Sequence, residues 1–180
     1  MTTAQAESAI PTGTWQSDPV HSNVGFTIKH AVGTFRGHFD EFNGTLANEN
    51  GEARLVGLAP VSSVKVKEEN LYAHLLSPEF FDAERHPEVT FESRAISVQG
   101  DQVEIAGDLT IKGVAKPVVA TGEIRGPAPG PGGDERLGID LETAVNRYDY
   151  GLEFRMDLPG DGKALGDEVN LEVHLELIKA

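Results

Sequence analysis

The chain has 180 residues, enough for one domain that buries roughly 70% of its unfolded surface. Fifteen basic residues against twenty-nine acidic ones leave a net charge of −14. That field repels phosphate polyanions and anionic membrane surfaces, so nucleic acid is excluded as a partner class and a small or uncharged ligand fits better. The absence of cysteine excludes disulfides, thiolate catalysis and thiolate metal sites. No stretch approaches the ~18 apolar residues of a membrane span. Residues 1–12 lack the basic start and apolar run of a secretory leader; they read as a disordered tail before a single domain over residues 13–180, and the expected location is the cytoplasm.

Taken in chain order, the elements are almost all strands. A short one around Trp15 turns at Asp18-Pro19. The next runs from Ser22 to His30, with Ser22, Val24, Phe26, Ile28 and His30 on one face and His21, Asn23, Thr27 and Lys29 on the other. Such a strand belongs to a sheet with one wet and one dry side. Phe35, Gly37 and Phe39 continue the alternation until Glu41-Phe42 breaks it, which predicts a bulge or bend. Asn48 to Gly51 predicts a turn before an extended run from Ala53 to Val66. Lys67 to Arg85 is different: Leu71, Leu75 and Leu76 have helical spacing, and Ser77-Pro78 predicts a second short helix anchored by Phe80 and Phe81. Strands resume at Val89, turn at Gln99 to Asp101, continue through Leu109 and Ile111, and turn between Gly113 and Pro117. Gly126 to Asp134 reads as a flexible loop. Leu137 through Arg147 and Val169 through Leu177 supply the last two alternating faces. About eight strands with no α/β alternation and one short helical insertion predict an all-β fold: an antiparallel sheet of that size closes into a barrel or splits into a sandwich, and an eight-stranded barrel can enclose one small ligand.

Candidate chemistry is sparse. The six histidines are scattered, without metal-ligand spacing, so no metal site is expected. No nucleophile elbow or phosphate loop is present, and the carboxylates lie on the wet phase of strands; no catalytic residue is assigned. His30 shares a face with Phe26 and Ile28, so it is expected to be partly buried near the end of an apolar run, where a ligand head group would meet it. Arg147 shares the phase of Leu141 and Val145, and an inward arginine requires an anion: a carboxylate such as Asp149 or Asp18, or a ligand head group. Asn43-Gly44-Thr45 matches a glycosylation sequon but reads as a turn. Alternation alone leaves open whether the dry face is a filled core or a hollow container.

Taken together, Trp15, His21-Ser22, Lys29-His30, Gly37-His38-Phe39, Leu75 to Asp82, His86 to Ser93, Gly107 to Val114, Asn146 to Gly151 and Gly166 to Val169 resemble the YceI-like family of lipocalin-like, polyisoprenoid-binding proteins, from about Gly13 to the C-terminus. The resemblance implies an extended barrel around a long apolar tunnel with a helix near one mouth. It further implies a polyprenol, polyprenyl phosphate or isoprenoid quinone as ligand, often in a homodimer, and no other cofactor. Carried to this sequence, the tunnel wall takes Phe26, Ile28, Phe35, Phe39, Phe91, Leu109, Ile111 and Leu141 by strand phase and Leu75, Phe80 and Phe81 from the helical insertion, with His30 and Arg147 as head-group candidates. Two rivals stand beside a non-enzymatic isoprenoid carrier: a binder of another amphiphile such as a fatty acid or fatty amide, and an enzyme acting on such a lipid.

Overall fold

The computed structural model describes residues 10–160 and 162–180. Eleven strand segments form one antiparallel sheet: β1 (Gly13–Ser17), β2 (Asn23–His30), β3 (Gly33–Phe39), β4 (Asn43–Glu49), β5 (Glu52–Pro60), β6 (Val64–Lys65), β7 (Glu88–Gln99), β8 (Gln102–Ile111), β9 (Val114–Pro129), β10 (Glu135–Asn146) and β11 (Leu165–Lys179). Three of the long strands are interrupted. β1 and β2 are parted at Asp18 to Ser22, β3 and β4 at the expected bend over Asp40 to Phe42, and β5 and β6 by a 3-10 turn at Val61–Ser63. Taking each parted pair as one strand gives the eight strands of a closed barrel.

Closure depends on β11. It pairs with β10 over most of its length, with β2 over residues 165–174, and with β1 through Leu177, Ile178 and Lys179. β1 pairs in turn with β4, so that end of the barrel has no open edge. The β1–β2 break is held at the seam. Asp18 N–H donates to the Glu176 carbonyl at 2.8 Å, and the Asp18 carboxylate accepts from Arg136 at 2.8 Å and sits 2.7 Å from His21 Nδ1. Arg136 also reaches Glu176 at 2.7 Å. His21 first, and then Arg136, hold the Asp18 carboxyl far below the usual carboxylate range.

Several local expectations are corrected. The only helix among the described residues is α1 (Glu69–Leu76), and none is long and apolar enough to cross a membrane. Ser77 does not start a second helix. Its hydroxyl donates back to the His74 carbonyl at 2.6 Å, and Phe81 and Ala83 return N–H bonds to Leu75 and Leu76, so this stretch coils against the end of α1. The turn after β8 is tighter than expected: Lys112 and Gly113 both take positive φ, and Pro117 lies inside β9. The run expected as a loop from Gly126 pairs as strand through Pro129, which leaves residues 130–134 as the turn. Pro117 and Pro129 sit where β9 has a neighbour on one side only, and Pro127 falls at the irregularity in the β9–β10 register, so the missing N–H groups of the three prolines break no ladder. The sequon opens β4 rather than forming a turn.

The barrel interior has two unequal halves. One end is packed solid around Trp15, Leu46, Ile105, Leu137, Ile139 and Leu177, none more than 1% exposed. Ile10, placed in the tail by sequence, is buried in this core, and its carbonyl accepts from Asn48 Nδ2 at 2.8 Å. Ile10 therefore belongs to the packed core; residues 1–9 of the expected tail lie outside the described residues. Towards the other end a second apolar group, including Phe39, Leu75, Phe80, Leu109 and Ile111, surrounds open space.

This division predicts unequal costs for identical truncations. Leu177→Ala, in the solid half, is expected to cost about 3–5 kcal/mol, and Leu171→Ala, beside the space, under about 2 kcal/mol, because a wall residue already lacks contacts on one side. Urea unfolding of both variants decides it; equal losses would contradict the two-part interior. The seam predicts a pH dependence. A carboxyl with a lowered folded-state pKa stabilises fully above its unfolded value, near ~3.9, and that contribution is lost as pH falls towards the folded value. Acid unfolding of Asp18→Asn is therefore expected to be shallower below about pH 4 than that of the parent chain; superimposable profiles would count against the seam.

Candidate functional site

The open half encloses a cavity of about 570 Å³. Its wall is almost wholly apolar because the inward phase of each strand is: Val24, Phe26 and Ile28 from β2, Phe35 and Phe39 from β3, Leu109 and Ile111 from β8, Leu171, Val173 and Leu175 from β11. All eleven residues assigned to the tunnel wall from the sequence line it. Gly37 faces Phe26 across the β2–β3 ladder, and a Cβ there would come within 2.5 Å of the Phe26 ring. The missing side chain lets that ring lie flat in the wall, 6.2 Å from Phe35 and 5.9 Å from Phe39.

The barrel end is roofed by segments outside the ladder. α1 contributes Leu71 and Leu75, the coil after it Phe80 and Phe81, and the segment after β10 Tyr150 and Leu152. His74 locks part of this roof, edge-on to Phe80 at 4.8 Å and to Phe154 at 4.6 Å. Beside the roof, His30, Gly33 and Thr34 are cavity-lining yet exposed, which marks a mouth at the β2–β3 hairpin. His30 therefore stands at the rim, as its phase predicts, but solvated rather than partly buried.

Arg147 is where the sequence places it and partnered differently. β10 ends one residue earlier, with Asn146 Oδ1 accepting from Tyr148 N–H at 2.9 Å to start a 3-10 turn over Arg147–Tyr150. The turn tucks the guanidinium inward at 3% exposure. Its expected carboxylate partners are not the ones it finds. It donates to the carbonyls of Gly166 (2.8 Å), Leu152 (2.7 Å) and Phe154 (2.6 Å), and to the Tyr148 hydroxyl (3.1 Å). Asp18 serves Arg136 at the barrel's other end. Four hydrogen bonds satisfy most of a guanidinium's five donors, so Arg147 staples the roof segment to β11. Its charge is felt by Asp167, whose carboxyl is lowered by Lys163 first and by Arg147 more weakly.

Tyr150 went unassigned in the sequence, because a 3-10 turn abandons the strand period. It is 1% exposed, and its hydroxyl has no hydrogen-bond partner among the described residues. Burial, and then Asp149, push its phenol up to about 12, which keeps it neutral. Phe42, in the break before β4, also lines the cavity, and it too sits where alternation fails. Among the described residues the ionisable groups of the lining are His30, Glu142, Arg147 and Tyr150. Such a site can desolvate a long apolar chain; it presents one buried cation, already committed to main-chain carbonyls.

The chain matches the YceI-like domain over residues 15–177. A UPF0312 protein of Staphylococcus aureus is 31% identical over 164 residues, covering 88% of this chain and 94% of that protein. The structure is similar to that of Burkholderia cenocepacia BcnA, with a TM-score of 0.76 at 21% identity, over 91% of this chain and 99% of that one. It is also similar to a polyisoprenoid binding domain from Saccharophagus degradans, with a TM-score of 0.73 at 11% identity, over 94% of this chain and all of that domain. At those identities the two structures speak to the fold; the family match and the staphylococcal relative speak to descent. The chain belongs to the YceI-like domain family.

Proposed function

We propose that this protein binds and carries, or stores, a single isoprenoid lipid in the barrel cavity, without chemistry on it. The observation that carries this reading is the cavity itself: about 570 Å³ of space inside a closed barrel, walled by seven phenylalanines and aliphatic side chains. Each buried CH₂ contributes ~0.8 kcal/mol, so such a wall holds a long chain with few polar contacts. The likeness to a polyisoprenoid binding domain supports the choice of chain. The head group is best read as uncharged, an alcohol or a quinone rather than a phosphate. A phosphate would need a free cation, and Arg147 has given its donors to main-chain carbonyls. The net charge of −14 acts in the same direction.

Mass spectrometry of an organic extract from gently purified protein tests this. A near-stoichiometric neutral isoprenoid is expected; an empty extract, with no uptake of added polyprenol or quinone, would refute the carrier reading. Phe91→Trp adds bulk to the wall and is expected to weaken long-chain binding at least ~tenfold, while His30→Ala at the solvated rim changes affinity less than about threefold. Titration of both variants with one neutral isoprenoid checks the pair, and unchanged affinity in Phe91→Trp would remove that residue from the wall.

A further inference from the structure

We propose that the solid half of the barrel is a floor that limits the bound tail to about four or five isoprene units, and that Leu55, Ala120, Leu141 and Leu175 set that length. The inference rests on the lipid reading above and adds a size class to it. The cavity ends against these four residues, which line it on β5, β9, β10 and β11. The next inward residues on β10 and β11, Ile139 and Leu177, do not line it; nor do Ile105 and Ile124, which follow Gly107 and Gly122 on the inward faces of β8 and β9, and all four are at most 4% exposed. Ile139 pairs with Leu175 across the β10–β11 ladder, so the change from wall to plug is one side-chain layer thick. Trp15 and Leu46, both 0% exposed, close the space beneath.

Two estimates of capacity share no input and agree. The first is length. Leu165, paired with His30 at the mouth, lies ten residues from Leu175 on β11. The register shift between Leu165 and Val169 takes up two of these, so eight residues at ~3.4 Å and a strand tilt of ~35–45° give about 21 Å along the barrel axis. An extended residue covers ~3.3–3.6 Å with three bonds, so a four-bond isoprene repeat covers about 4.5–5 Å, and about four to five repeats fit. The second is volume. A dry apolar cavity of about 150 Å³ holds one benzene, six carbons, so a space nearly four times larger holds roughly 23 carbons. A forty-carbon tail would leave about three repeats outside the mouth, where they gain no burial.

The test is equilibrium binding of the full chain to primary isoprenoid alcohols of fifteen, twenty, twenty-five and forty carbons, delivered from cyclodextrin and read by native mass spectrometry. Affinity is expected to rise at least ~tenfold from fifteen to twenty carbons, then to level, with forty carbons within about threefold of twenty-five. Ala120→Leu, which raises the floor, is expected to lower the plateau by about one repeat, and Leu175→Ala to extend it by about one. A rise of more than about tenfold between twenty-five and forty carbons would overturn the floor while leaving the lipid reading intact. Failure of all four alcohols to bind would overturn the lipid reading and this inference with it. A plateau unmoved in folded Ala120→Leu and Leu175→Ala would overturn the assignment to these residues.

Discussion

The last strand closes the sheet, and the rest of the structure depends on that closure. β11 offers one long edge to β10 and divides the other between β2 and β1. The division needs a break in the first strand, and a break exposes backbone polar groups that must find partners. Asp18 and Ser22 meet this need at Glu176. Asp18 N–H bonds the Glu176 carbonyl, and Ser22 Oγ accepts the Glu176 N–H at 3.0 Å. Arg136 ties Asp18 and Glu176 together, so the charged group lies where the sheet changes partners. Without a closed sheet neither a plug nor a cavity would exist, because both are enclosed by the same ring of strands.

The two interior halves follow from where the large side chains fall. Near β1 the inward positions from several strands converge, and one tryptophan with a ring of branched aliphatics fills the width. Towards the roof the inward side chains leave about 570 Å³ unfilled. Emptiness of this kind costs the lining its dispersion contacts unless something occupies it. A bound chain would restore those contacts, which is the physical link between an under-packed barrel end and a carrier role. The roof has its own support: Arg147, buried and fully inside, bonds the segment after β10 to the start of β11 through main-chain carbonyls. The two arginines thus hold opposite ends, one with carboxylates at a partly solvated seam and one with neutral acceptors under the roof.

Much of this was legible in the chain. Period-2 alternation reads directly as a face, so the wall residues named on strands line the cavity, from Phe26 to Leu141, and the inward turn of Arg147 is equally a matter of phase; Leu75, Phe80 and Phe81 reach it from α1 and the coil after it. What alternation cannot read are residues outside regular strand. Tyr150 sits in a 3-10 turn, Phe42 in a strand break, and Leu152 in the segment beyond. Nor does the local signal of Ser77-Pro78 survive. The apolar demand of Phe80 and Phe81 is met by coiling back on α1, and the serine hydroxyl closes the helix before it rather than opening another.

Sequence by itself determined the all-β class, the number of strands, the inward face of each and the family, because strand period and turn chemistry are local and survive without a partner. Tertiary structure alone decided that the interior is solid at one end and hollow at the other. Which inward residues share a layer depends on the stagger of strands distant in sequence, and no single strand carries that information. The same holds for the partners of Arg147: its burial is a matter of phase, but three carbonyls converge on it only once the roof has folded over β11.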